Sequence, residues 1–150
     1  MKGKLRITTF KKGTNELLRQ TEFFPNLIVL NDGNGLNLFI KQLLNGGNSM
    51  EITQAKIGTG NTPPSSNDTD LEAPVVSGIM VAAKQETAID EATFEFFISD
   101  AELPEGTYRE FGIFCGDALF ARSLIVPEYT KSINEDTKID YIITVENLES

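Results

Sequence analysis

The stretch from Tyr108 to Pro127 constrains the fold more than any other part of this chain. Phe111, Ile113 and Cys115 share one parity before Gly116-Asp117, and after that dipeptide Ala118, Phe120 and Arg122 alternate against Leu119, Ala121 and Ser123. Period-two alternation on both sides of a glycine-containing dipeptide writes a β-hairpin with a tight turn. Its apolar side needs further strands to pack on, and the sequence supplies them. Lys4 to Phe10 and Glu16 to Phe23 flank the polar turn Lys11-Lys12-Gly13-Thr14-Asn15 and predict an opening hairpin. Ile52 to Ile57, Val75 to Ala83, Thr93 to Ser99, Arg109 to Cys115, Ala118 to Ile125 and Lys138 to Val145 read as strands. In the last, Ile139, Tyr141, Ile143 and Val145 alternate with Asp140, Ile142 and Thr144. Phe24-Pro25-Asn26 is expected to break the ladder, because proline has no amide donor. Leu27 to Leu30 is apolar and its conformation is left open by the pattern.

One segment changes period. Leu36, Phe39, Ile40, Leu43 and Leu44 fall at relative positions 0, 3, 4, 7 and 8, which predicts an amphipathic helix over about residues 35–45. Asp32 or Asn34 is expected to cap its start and Gly46-Gly47 to permit its stop. With Lys41 and Gln42 outward, the helix should lie across a sheet as a lid. The class that follows is mainly β: a single-domain antiparallel β-sandwich over residues 1–150 with this one helix packed on it, and an irregular loop at about 58–74. Loops longer than about 12–15 residues are often functional or mobile. The acidic segment Glu86 to Glu95 reads as a solvated turn and strand face.

Composition removes several functions. Thirteen basic against 22 acidic residues give a net charge of −9, which opposes contact with a phosphate backbone, so nucleic acid is not an expected partner. No apolar run approaches the roughly 20 residues of a spanning helix, and Met1 to Leu5 lacks a secretory apolar segment; a soluble protein, without membrane insertion or export, is expected. The absence of histidine excludes Ser-His-Asp and Cys-His nucleophile systems and His-ligated metals. The lone Cys115 cannot form an intramolecular disulfide and reads as a small half-buried filler.

The remaining constellations have plain explanations. Gly58-Thr59-Gly60 lacks the Lys and Ser/Thr of a phosphate loop and reads as a turn. Asp68, Asp70 and Glu72 alternate along the loop, where carboxylates could gather around calcium, but the spacing is not that of a helix-flanked calcium loop. Asn67-Asp68-Thr69 matches a glycosylation acceptor, which has meaning only with export. Asp90 with Glu95, or Asp100 with Glu102, could serve glycoside hydrolysis if set about 5–9.5 Å apart across a sugar cleft. A chain without tryptophan and with three tyrosines has little aromatic platform for a sugar. Glu110 and Arg122 lie on the two arms of the hairpin and can pair if they face one side, fixing orientation or a subunit contact rather than doing chemistry. No catalytic residue, cofactor or metal ligand is therefore expected, and no enzymatic activity.

An ordered series of short motifs carries a resemblance. It runs from the Asn-Gly-rich entry to the helix (Asn31 to Leu44), through Ile57-Gly58-Thr59-Gly60-Asn61-Thr62-Pro63 and Asp68-Thr69-Asp70-Leu71-Glu72, to Arg109-Glu110-Phe111-Gly112-Ile113-Phe114. Leu119-Phe120-Ala121-Arg122, a corner at Pro127 to Lys131 and a final alternating strand follow. Over most of residues 26–146 this resembles the β-rich module of tailed-bacteriophage tail-fibre and baseplate-associated structural proteins. The resemblance implies a virion part, made in the bacterial host cytoplasm, that assembles with copies of itself or with neighbouring virion proteins; a trimer would suit a fibre. It marks Gly58, Thr59, Gly60, Glu110, Gly112 and Arg122 as structural or interface positions. A capsid decoration or neck component is an alternative placement in the particle. A receptor- or carbohydrate-binding module, meeting a host-surface glycan through the 58–74 loop or the strand ends, is the alternative from another class.

Overall fold

Alternation of inward apolar and outward polar residues builds two antiparallel layers in the computed structural model, which describes residues 1–45 and 50–146. In chain order the elements are β1 (Lys2–Lys11), β2 (Leu17–Gln20), β3 (Phe24–Pro25), β4 (Leu27–Ile28), β5 (Leu30–Asn31), β6 (Asn34–Gly35), α1 (Leu36–Asn45) and β7 (Gln54–Gly58). Then come β8 (Pro74–Ala88), β9 (Glu91–Ile98), β10 (Gly106–Cys115), β11 (Ala118–Lys131) and β12 (Glu135–Thr144). One layer runs β2-β1-β12-β9-β8 and the other β8-β7-β10-β11-β4. The long β8 belongs to both, pairing with β7 through Met80 and with β9 from Val81 onward, so a single strand turns the corner between layers. The mainly-β class and the helix position expected from the sequence are present.

The layers meet through side chains of matching parity. Leu5 and Ile7 of β1 lie opposite Tyr141 and Ile139 of β12. Phe96 of one layer packs edge-on against Phe111 of the other, with ring centres 5.7 Å apart. Burial of such large side chains contributes about 1.5–3 kcal/mol each and drives closure.

Four expectations need correction. Phe24-Pro25-Asn26 does not break the ladder: Phe24 and Pro25 pair with Leu5 and Lys4 of β1, while Leu27 and Ile28 pair with Arg122 and Ala121 of β11. Within five residues the chain crosses from one layer to the other, and the proline is accommodated because its strand lies outside β1. The corner at Pro127 to Lys131 is instead a continuation of β11 through a cis Val126-Pro127 bond. Its register shifts between the Glu110–Leu124 and Tyr108–Tyr129 pairs, so surplus residues bulge outward there and the proline needs no ladder bond.

The third correction concerns α1. Of the apolar stripe only Leu36 packs against the core: Phe39, Ile40, Leu43 and Leu44 are 44%, 47%, 67% and 80% exposed, and Leu38, which is not part of the stripe, is buried in the core instead. The entry explains the rotation. Gly35 adopts φ +56° with Val29 so close that a Cβ would sit 1.8 Å from its carbonyl oxygen, and Leu36 N donates to that oxygen at 3.0 Å. This clamp turns the Leu38 side inward. The fourth is the capping: Asp32 pairs with Lys41 at 3.3 Å and Asn34 donates to Asn31 Oδ1, while Asn37 Oδ1 accepts the Gly33 amide at 2.8 Å. The Gly46-Gly47 stop lies outside the described residues.

Candidate functional site

The residues singled out in the sequence converge on one place, the outward face of the β7–β10–β11 layer. Cross-strand register sets Gly58 opposite Glu110, and Gly112 opposite both Lys56 and Arg122, so these positions share a side. Strand parity alone would leave that side to solvent. Instead residues 59–73 fold back over it and bury Glu110 and Arg122 completely.

Glu110 is the anchor. Its Oε1 accepts from Glu72 N at 2.8 Å and from Arg122 Nε at 3.0 Å, and its Oε2 accepts from Gly60 N and Ala73 N, both at 2.7 Å. Arg122 Nη1 reaches on to Asp68 Oδ2 at 3.2 Å, tying the middle of the loop to the hairpin. Three loop amides, which would be costly to bury unpaired, are thus satisfied by one carboxylate whose charge is met by one guanidinium. The glycines provide the room. A Cβ on Gly60 would lie 2.5 Å from Glu110 Oε2, one on Gly58 would lie 2.3 Å from Ala73 O, and one on Gly112 would lie 2.8 Å from Leu71 Cδ2. Thr59 faces solvent and contributes its amide, donated to Ala73 O at 3.0 Å. Leu71 closes the cover over Gly112, and Val29, Phe114 and Leu119 form a small second core on the same side.

The geometry leaves this node no route to a substrate. Glu110 has both oxygens saturated and no exposure, so it can neither give nor take a proton at a bound molecule. The loop carboxylates are likewise engaged one by one. Asp68 also accepts the Ser65 amide, Asp70 pairs with Lys56 at 3.0 Å, and Glu72 accepts the Asn61 amide and the Thr62 hydroxyl. The Thr62 hydrogen bond, before any other influence, holds the Glu72 carboxyl below its ordinary value. Among the described residues no three His, Cys, Asp or Glu side chains are grouped to hold a metal ion.

The carboxylate pairs considered for glycoside hydrolysis do not converge either. Asp90 is at the tip of the β8–β9 hairpin and Glu95 is beside Asp140, on the order of 13 Å or more along an extended strand. Glu102 accepts the Ser99 amide and hydroxyl locally. Asp100 belongs to a polar cluster that sequence reasoning missed. Buried Lys131 donates to Asp100 Oδ1 at 2.6 Å and Glu135 N donates to the same oxygen, while Arg19 pairs with Glu135 at 2.6 Å. Lys131 holds the Asp100 carboxyl, and Arg19 the Glu135 carboxyl, below their ordinary values; Glu135 in turn raises Arg19. Nearby, Tyr129 hydroxyl bonds both Thr9 and Thr137. Apart from Tyr129 and Thr137, which are 8 positions apart, the partners are separated by 31 to 120 positions, so no local motif could have found the cluster.

Cys115 is buried, and desolvation pushes its thiol up to about 12, which leaves it protonated and inert near neutral pH. No helix among the described residues is long and apolar enough to cross a membrane. Exposed large apolar side chains occur at several separate places, Met80, Ile89, Val126 and Ile133 among them, and α1 gathers four on one short segment whose one charged residue, Lys41, is tied to Asp32. Comparison with family models, curated proteins and solved structures finds no match to this chain.

Proposed function

We propose that the chain is a non-catalytic structural subunit, a tail-fibre, baseplate or other tail-associated component of a bacteriophage virion, that acts through protein–protein contacts with α1 as its principal docking element. The observation that carries the reading is the outward stripe Phe39, Ile40, Leu43 and Leu44. Apolar side chains grouped on one face mark contact surfaces when a protein otherwise covers its core and pairs its charges. The polar groups that could have served chemistry are consumed in holding the fold, Glu110 and Arg122 in the loop anchor and Asp100, Lys131, Glu135 and Arg19 in the second cluster. The order of motifs that resembles phage tail modules supplies the setting. A partner surface for α1 should be apolar and free of net charge, since the helix brings only a neutralised lysine.

The test is the copy number of the chain in purified virions. Stoichiometric presence is expected for the wild type, and loss of incorporation for Leu43→Glu with Leu44→Glu, whose positions are exposed, with far-ultraviolet dichroism of the variant matching that of the wild type. A chain absent from particles, or a double variant incorporated like wild type, removes the reading.

A further inference from the structure

The outward face of the other layer carries a charge gradient written by its register. Across β1, β12 and β9 the rows read Lys2–Thr144–Glu91, Lys4–Ile142–Thr93, Arg6–Asp140–Glu95 and Thr8–Lys138–Phe97. Residues directly opposite share a side, and the alternate set, Leu5, Ile7, Tyr141, Ile139 and Phe96, fills the core. The face is therefore cationic along β1 and anionic along β9, with Ile142 on the strand between them and the 43% exposed Phe97 in the last row of β9. Cross-strand pairs use part of this charge: Arg6 with Asp140 at 3.3 Å, Lys138 with Glu95 at 3.4 Å, and Lys2 with Glu146. Two charges are left over. Lys4 enters no ion pair among the described residues and rests 4.9 Å over the Phe23 ring, while the Glu91 carboxylate accepts the Thr87 hydroxyl at 2.8 Å and meets no cation there. They have opposite sign and stand at opposite margins.

We propose that this face is a twofold interface with a second copy of the chain, the axis lying between the two stacked faces and running along β12. Such an axis sets β1 of each copy over β9 of the other and keeps the rows at one height, so Lys2 faces Glu91 of the second copy and Arg6 faces its Glu95, with Lys4 one row from each. Two sheets in aligned stacking stand about 10 Å apart, within reach of these side chains. An axis across the strands would instead stack β1 on β1 and bring cation to cation, an arrangement that like charges disfavour. In a chain of net charge −9, a face that presents both signs in this order lets two copies set opposite charges together along both margins, while the like residues that meet on the axis, Asp140 and Lys138, are already paired within each copy by Arg6 and Glu95. The interface is separate from α1 and adds a defined self-contact to the docking function.

Charge exchange tests it on the full chain by light scattering and sedimentation at low salt. Wild type should show a dimer that weakens as salt is raised. Lys4→Glu and Glu91→Lys, each at an exposed or half-exposed margin, should each lose at least tenfold in self-affinity. An equimolar mixture of the two variants should regain the dimer. In that mixed pair the twofold sets the introduced carboxylate of one chain against the introduced ammonium of the other, and the remaining native Lys4 against the remaining native Glu91. A wild type that stays monomeric, single variants that dimerise undiminished, or a mixture that does not recover would overturn the proposal. A dimer that Leu43→Glu dissolves would assign the contact to α1 and overturn it as well.

Discussion

Replacing Glu110 by Gln changes one oxygen to an NH2 group and leaves the side-chain shape alone. Each carboxylate oxygen accepts two donors, Oε1 from Glu72 N and Arg122 Nε, Oε2 from Gly60 N and Ala73 N. Whichever way the amide turns, its nitrogen faces two N–H groups, so two hydrogen bonds are lost and replaced by donor–donor contact. The Arg122 charge also loses its fully buried counter-ion and keeps Asp68, which is partly exposed. Removing one partner of a buried pair costs about 3–5 kcal/mol, a large part of the roughly 5–15 kcal/mol by which a domain is stable. With a urea dependence of about 1–3 kcal/mol per molar, the unfolding midpoint should fall by about 2 M. Far-ultraviolet dichroism in urea reads this, and limited proteolysis should show cleavage appearing within residues 60–72. Adding Arg122→Met to Glu110→Gln should cost much less than the sum of the single changes, since the charge left stranded is then gone. A midpoint shift under about 0.5 M, with an uncut loop, would refute the anchoring role.

Three further outcomes rest on neighbouring contacts. Gly60→Ala should destabilise by more than Gly112→Ala in thermal melts, because its Cβ meets the pinned Glu110 oxygen at 2.5 Å whereas Gly112 would press on the movable end of Leu71; about 1–3 kcal/mol is typical of such overpacking, and equal costs would contradict the packing described. Asp100 and Glu135 are held below their ordinary values of 3.8 and 4.5, so their contribution is present above those values and is lost as pH falls through the lower folded values. Acid unfolding should therefore steepen below about pH 4, and Arg19→Gln, which removes the main cause acting on Glu135, should make that loss shallower; an unchanged acid profile would contradict it. Cys115, with its thiol at about 12, should react with a thiol reagent at about pH 8 only after denaturant is added, and rapid labelling of the native chain would contradict its burial.

Much of the fold was legible because local rules and tertiary structure agree. The Gly116 turn, at φ +59°, the hairpin it joins and the final strand stand where alternation puts them. The pairing of Glu110 and Arg122 was also readable, since both lie on one hairpin at matching parity. Its burial was not, because parity says which way Glu110 points and nothing about a loop returning from fifty positions away to cover it. The one signal for that cover was the run of side-chain-free positions Gly58, Gly60 and Gly112 facing the same carboxylate and Leu71. The α1 stripe makes the complementary point. Period identifies a face, whereas its covering is decided by the chain's entry at Gly35, and here the entry turns the face outward. Strand β8 runs past its expected end at Ala83 to Ala88, because the polar residues Lys84, Gln85 and Glu86, the last of them expected to open a solvated turn, pair with Phe94, Thr93 and Ala92 on β9.

On this account α1 is a contact surface on a body whose interior chemistry is already spent. Hydroxyl-radical footprinting of the full chain, free and in assembled particles, addresses this at the side chains concerned. Phe39, Leu43 and Leu44 should oxidise readily in the free chain and be strongly protected after assembly, with Leu38 protected in both. Equal oxidation of the three in both states would contradict the central claim.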